Sequence, residues 1–168
     1  MGLIVQKFGG TSVGDISRIR NVATKAIASQ AAGNQVVVVV SAMSGETNRL
    51  VGLIDEITTM PNKREYDVVV SAGEQVSIGL LAITIEAMGH KAQSFLGWQI
   101  PFVTDSTFAS ARISEIESQK INAALDGGAI VIVAGFQGVD VDGNIATLGR
   151  GGSDTSAVAL AAALKADR

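Results

Sequence analysis

Residues 7–12 read KFGGTS: a lysine, two glycines and two hydroxyl side chains at the end of an apolar run. These are the parts of an anion cradle. Glycines let backbone N–H groups come close to an anion, a following helix start adds partial positive charge, and Lys7 supplies a full one. The order differs from the common phosphate loop, where the lysine follows the glycines, and it is no dinucleotide fingerprint either. A tight β–α turn with Lys7 solvated at the strand end would need the same residues. Taken alone, the stretch leaves both readings open.

Residues 149–154, GRGGSD, repeat the logic before the last helix. Gly149, Gly151 and Gly152 free the backbone, Arg150 offers a planar fork suited to a carboxylate or phosphate, and Ser153 or Asp154 can cap the helix. The plain alternatives are an N-cap for Asp154 and an exposed cation for Arg150. Two glycine-rich turns with one cation each favour an anionic ligand over either alternative. SAMSGETN brings Ser41, Ser44 and Thr47 to the same place, with Ser44 read as a helix cap. SAGEQ sets Glu74 inside the apolar stretch VVVSAGEQVSIGLLA. A carboxylate in such surroundings is costly unless paired, so Glu74 requires a cation from the protein or from a ligand. Gly73 beside it costs about 1 kcal/mol relative to alanine in a helix, which points to a close approach to its backbone. Met43, Met60, Met88 and Trp98 read as packing.

Composition narrows the classes. At 168 residues one domain is expected. Charged residues are 17% of the chain, against roughly 25% in soluble domains, so a large share of the sequence expects burial. A net charge of −3 with scattered lysines and arginines gives no attraction to nucleic acid or anionic lipid. No apolar run approaches the ~20 residues of a membrane helix, and no leader pattern opens the chain. No nucleic-acid partner and no membrane are expected, and a cytoplasmic location is. The absence of cysteine removes thiolate chemistry and fits a reducing compartment. The single histidine, His90, reads as a surface turn residue and is too few for a zinc site or a catalytic triad.

The elements that must position these residues alternate. Leu3–Phe8 reads as a strand, and DISRIRNVATKAIASQAAG reads as a helix with Ile16, Ile19, Val22, Ala23, Ala26 and Ile27 on one face. Five valines at 36–40 form a strand buried on both sides. Helical patterns follow from Gly45 to Met60 and from Tyr66 to Met88, the second carrying SAGEQ in its middle. Short strands are expected at Ala92–Phe95 and Phe102–Thr104. Ser114 and Glu117 form a capping box for a helix to Asp126. AIVIVAGF is another buried strand, Asp142-Gly143 turns a hairpin from Gln137 to Thr147, and a nearly all-apolar helix closes the chain with no strand to return to. The fold class is α/β, a mostly parallel open sheet with helices on both faces. In such sheets ligands collect at the carboxyl ends of the strands, where both glycine loops fall.

KFGGTSV, VVVVSAMSGETNRL, SAGEQVS, VAGFQGVD and TLGRGGSDTSAVALAAAL, taken together, resemble the catalytic domain of the aspartate kinases (aspartokinases), a branch of the amino acid kinase family with a carbamate kinase-like fold. The match runs from Leu3 to Asp167. The resemblance implies transfer of the γ-phosphoryl of MgATP to the β-carboxylate of L-aspartate, at the head of lysine, threonine and methionine synthesis. It implies that Lys7 stabilises charge on the transferring group and that Asp154 orients Lys7. Gly9, Gly10, Thr11, Ser12, Gly151 and Gly152 would contact phosphate, with Lys7. Arg150 would clamp the aspartate α-carboxylate, Glu74 would hold its amino group, and Ser41, Thr47 and Ser153 would line the pocket. Mg²⁺ would be held through phosphates and water, with no protein metal site. A homodimer or larger oligomer is expected.

Catalytic domains of that family run past the position of Arg168, into a strand and a segment like Tyr-Thr-Asp-Val-Asp-Gly that supplies much of the adenine site. Neither it nor the regulatory ACT domains occur in these 168 residues. The expectation is the N-terminal portion of a catalytic domain over 1–168, incomplete at its C-terminus, with the aspartate site and part of the phosphate site. The alternatives are a non-catalytic substrate-binding or dimerisation module completed by a partner, and a different amino acid kinase.

Overall fold

Five consecutive valines decide where the sheet lies. Gln35–Val40 forms β2, and Val36 through Val40 are all at 0% exposure. Side chains alternate between the faces of a strand, so this burial requires cover on both. The computed structural model, which describes all 168 residues, supplies it. In the main sheet β2 pairs in parallel with β1 (Leu3–Phe8) and β6 (Ile130–Ala134), and β6 pairs in parallel with β3 (Ala92–Phe95), giving the order β1-β2-β6-β3. On one face α1 (Ile16–Ala31) and α4 (Ala72–Ala87) press Ile19, Val22, Ile78, Leu81 and Ile85 onto Val36, Val38, Val40 and Ile132. On the other, α5 (Gln119–Asp126) and α6 (Gly152–Leu164) set Ile121, Leu125 and Leu160 against Val37, Val39, Val131 and Val133. The expected parallel α/β sheet with helices on both faces is what forms.

A second sheet, with the order β5-β4-β7-β8, stands beside the first. It joins β4 (Phe102–Thr104), β5 (Ile113–Ile116), β7 (Gln137–Val139) and β8 (Ile145–Thr147), antiparallel except where β4 meets β7. The expected hairpin from Gln137 to Thr147 is its β7–β8 arm. The capping box is not there. Ser114 lies in β5, and α5 starts at Gln119 after Ser118, which makes no side-chain cap. Pairing with β4 satisfies the backbone of 113–116 and puts Ile113 and Ile116 against the core, which outweighs a local cap.

Other elements shift in instructive ways. α2 (Glu46–Asp55) stops short of Met60, and its N-cap is Gly45 in the left-handed region rather than Ser44. The long helix divides at Ser71 into α3 (Lys63–Val70) and α4, so SAGEQ opens α4 instead of sitting mid-helix. Ser71 keeps helical angles, and the rod Lys63–Ala87 counts 25 residues, long and apolar enough by composition to cross a membrane. That departs from the expectation of no such run. In this fold it serves as a core helix, with Asp67, Val70, Glu74, Ile78, Leu81 and Ile85 buried. Met60, Met88, Trp98 and Ile16 are exposed instead of packed, while Met43 does pack on the core. After α6 the last residues turn back to the edge of β1, where Asp167 N–H donates to Leu3 C=O and Val5 N–H donates to Arg168 C=O.

Gly138 carries the join between the β4 and β7 strands. A Cβ there would lie 2.5 Å from both Phe102 O and Thr104 Cγ2, closer than any relaxed contact. Gly138→Ala is expected to cost about 1–3 kcal/mol of stability through overpacking, read as a lower urea midpoint with an unchanged slope.

Candidate functional site

β1, β2 and β6 run in the same direction, so the loops that leave them meet at one end. There they surround a cleft of about 770 Å³ lined by Gly10, Thr11, Ser41, Thr47, Glu74 and the loop from Gly149 to Ser153. Sequence-distant residues are brought together as the motifs require. Lys7 and Asp154 do not themselves line the cleft but pair with each other, Lys7 Nζ 2.9 Å from Asp154 Oδ1. Gly9 lies beside that ammonium, whose nitrogen is 3.5 Å from the place a Cβ would take. Ser12 is elsewhere: it lines a shallow depression with Arg18, Asn21 and Lys25 on the outer side of the first loop.

Close packing explains the glycines. A Cβ on Gly10 would stand 2.9 Å from Ala42 O, and one on Gly135 would stand 2.8 Å from Ser153 Cβ. The first loop therefore presses against the end of β2 and the second against the end of β6, and Ser41 Oγ donates to Ser153 Oγ at 2.8 Å across the seam. A 3-10 turn, Gly10–Val13, follows β1, while the start of α1 is already capped by Asp15, which accepts from Arg18 N–H. At the cleft the start of α2, with Gly45 as its N-cap, has no side-chain cap, and neither has the start of α6. Its N-cap, Gly151, has φ +70 and makes no side-chain cap, so neither Ser153 nor Asp154 fills the capping role. The amides of Ser153 and Asp154 fall in the first turn, beyond reach of an intrahelical acceptor. Asp154 in that turn also suits the positive end of the helix dipole.

Glu74 is the electrostatic anomaly. It is 2% exposed, and Ala42 N–H donates to Oε1 at 3.2 Å while Oε2 is buried with no partner at all. None of the ion pairs includes it. Desolvation pushes its carboxyl up to about 7, partly offset by the backbone amides of Glu74 and Ala42. The close approach at Gly73 is real: a Cβ would be 2.7 Å from the Ala42 Cβ, and it seats Glu74 against the end of β2. Arg150 is exposed on the same cleft and belongs to no ion pair. An unpaired anionic oxygen and an unpaired guanidinium on one cleft suit a ligand carrying both charges.

Tyr66, Ala109, Phe136 and Thr147 also line the cleft; Phe136 and Thr147 lie within VAGFQGVD and TLGRGGSDT, but none of the four was singled out from the sequence. Ala109 and Phe136 hold positive φ, +66 and +73, a conformation that no residue type signals. Tyr66 had a weak signal, since it opens the apolar stretch that carries Glu74.

Fold and site together define an α/β protein with a polar cleft at the carboxyl ends of its parallel strands. Residues 2–168 match the amino acid kinase family, and the chain belongs to it. It is 58% identical over 168 residues to an aspartokinase of Geobacillus stearothermophilus, covering 100% of this chain and 41% of that protein. The crystal structure of an aspartate kinase from Synechocystis is 45% identical, with TM-score 0.83, covering 99% of this chain and 27% of that one. Escherichia coli aspartokinase III in complex with aspartate and ADP is 27% identical with TM-score 0.86, covering 100% of this chain and 48% of that one. The chain thus spans about two fifths of the length of the curated relatives it matches.

The raised carboxyl of Glu74 has a signed consequence. A carboxyl that binds its proton more tightly in the folded state favours folding at low pH. That contribution is lost as pH rises from the ordinary carboxylate value of 4.5 through about 7, a difference of roughly 3 kcal/mol. Glu74→Gln is expected to match the parent near pH 5 and to exceed it by that amount at pH 8, measured as the difference between their denaturant unfolding curves.

Proposed function

We propose that this chain carries the aspartate site and part of the phosphate site of an aspartate kinase, which transfers the γ-phosphoryl of ATP to the β-carboxylate of L-aspartate. The observation that carries the reading is the buried, unpartnered Oε2 of Glu74 on a cleft shared with an unpaired Arg150. L-Aspartate offers an ammonium to the first and an α-carboxylate to the second. Support comes from relatives named aspartokinase or aspartate kinase at 54–59% identity.

In this mechanism Arg150 binds the α-carboxylate through its planar fork, and Glu74, ionised when it meets an ammonium, fixes the other end. Ser41 and Thr47 line the wall between them. The β-carboxylate is thereby aimed at the two glycine loops. One of its oxygens attacks the γ-phosphorus as the bond to the bridging oxygen breaks, giving an acyl phosphate and ADP. Little covalent chemistry falls to the protein, so catalysis is positioning and charge neutralisation. Lys7 faces the charge on the transferring group, and Asp154, 2.9 Å away, fixes where its ammonium points. The first-turn amides of α6 complete the cradle. An Mg²⁺ ion held mainly by phosphate oxygens and water would neutralise phosphate charge.

The test is hydroxylamine trapping of the acyl phosphate formed from MgATP and L-aspartate. The parent is expected to yield hydroxamate, and Lys7→Ala to lose at least about 10²-fold in rate. The Lys7–Asp154 pair is exposed, with side-chain accessibilities of 28% and 72%, so the variant should cost less than about 1 kcal/mol of stability. A folded parent that yields none would leave this chain as a binding module, and activity retained in Lys7→Ala would refute the role of that lysine.

A further inference from the structure

Seven residues before Glu74, on the same side of the helical rod, a second carboxylate is buried in the opposite circumstance. Asp67 is 0% exposed and every bond it makes is to a neutral donor. Ala109 N–H donates to both of its oxygens, at 3.1 and 2.9 Å. Thr147 N–H donates to Oδ2 and the Thr147 hydroxyl to Oδ1, each at 2.8 Å. No ion pair includes it. A buried carboxylate without a cation is a poor way to stabilise a core, where an apolar side chain of similar size does better. What it uniquely does is hold two backbone segments that come from far along the chain.

Both segments are walls of the cleft. Ala109 has φ +66, the left-handed region that a residue with a Cβ occupies only when its surroundings insist, and its N–H is the group Asp67 holds. Its carbonyl oxygen lies 3.1 Å from where a Cβ on Gly149 would be, so the loop leans directly on the glycine turn that carries Arg150. Thr147 ends β8 just before that turn, and its own carbonyl accepts from Ala111 N–H at 2.9 Å. Ala109, Thr147, Gly149 and Arg150 all line the cleft, and Asp67 does not.

We infer that Asp67 is a positioning residue of the amino-acid site: by holding Ala109 in its left-handed conformation and Thr147 at the end of β8, it sets the Arg150 turn for capture of the ligand α-carboxylate. The inference rests on reading the cleft as an amino-acid site.

The experiment uses the purified chain and L-aspartate as the probe. Asp67→Asn keeps the shape but turns one acceptor into an amide NH₂ facing donors, so Kd by calorimetry should rise about tenfold. Adding Ala109→Gly should recover most of that loss, because glycine takes positive φ without the carboxylate's help. A purely structural role would move neither the rescue nor the Arg150 Nε–Hε cross-peak in the ligand-free NMR spectrum, which Asp67→Asn should shift. Lowered thermal stability with an unchanged Kd, or a loss that Ala109→Gly fails to recover, would overturn the inference. If Asp67→Asn does not fold, Thr147→Val carries the same readouts, with Thr147→Ser as the control that keeps the hydroxyl. A parent that binds no L-aspartate would defeat the amino-acid reading alone. In that event the ligand-free spectra decide: a shifted Arg150 peak upholds the positioning role and an unshifted one refutes it.

Discussion

The structure depends on covering both faces of β2. Val36, Val38 and Val40 look toward α1 and α4, and Val37 and Val39 look toward α5 and α6. No single layer of helices satisfies that pattern, so the chain must cross the sheet, and parallel neighbours follow because crossovers return a strand in the same sense. Once β1, β2 and β6 are parallel, their carboxyl ends point one way. KFGGTS, SAMSGETN and the approach to GRGGSD are then brought to one cleft by the sheet itself, before any polar contact is made.

Within that frame the rod Lys63–Ala87 holds two carboxylates under different terms. Asp67 is saturated by four hydrogen bonds from the cleft wall, whereas Glu74 keeps one oxygen without a donor. The first ties the cleft wall together, and the second keeps an oxygen that no protein group satisfies. The cost of the second is visible in its proton affinity, raised by desolvation to about 7. An ammonium ligand would lower it again by favouring the ionised form, so ligand capture and deprotonation of Glu74 are coupled.

Close approach is the other organising device. Gly10, Gly73, Gly135 and Gly152 have no room for a Cβ, with the nearest atoms 2.7–2.9 Å away. All four of these contacts gather just past the end of β2 or at the start of α6, which lets backbone amides rather than side chains face the cleft. Phe136, with φ +73, is secured there by Ser156 Oγ, which accepts its N–H at 3.0 Å, while its carbonyl accepts from Leu148 N–H. Strain near the site is thus held by a core hydroxyl and by the second sheet.

The main sheet was legible because continuous apolar runs such as VVVVV and IVIVA have one stable environment, and the glycine loops because two of them, each with one cation, fall at the carboxyl ends of strands. Glu74 could be singled out because its charge conflicts with its neighbours. Asp67 was not singled out: its partners Ala109 and Thr147 stand 42 and 80 residues away, and nothing local names them. The β5 segment read as a helix start because a capping box is a local pattern, while its pairing with β4 is not. By itself the sequence determined which residues must be buried, which turns must be glycine, and which charges need partners. Only the tertiary structure decided which charge goes unpaired and which loops carry strain, because those depend on donors delivered from distant segments once the two sheets have packed.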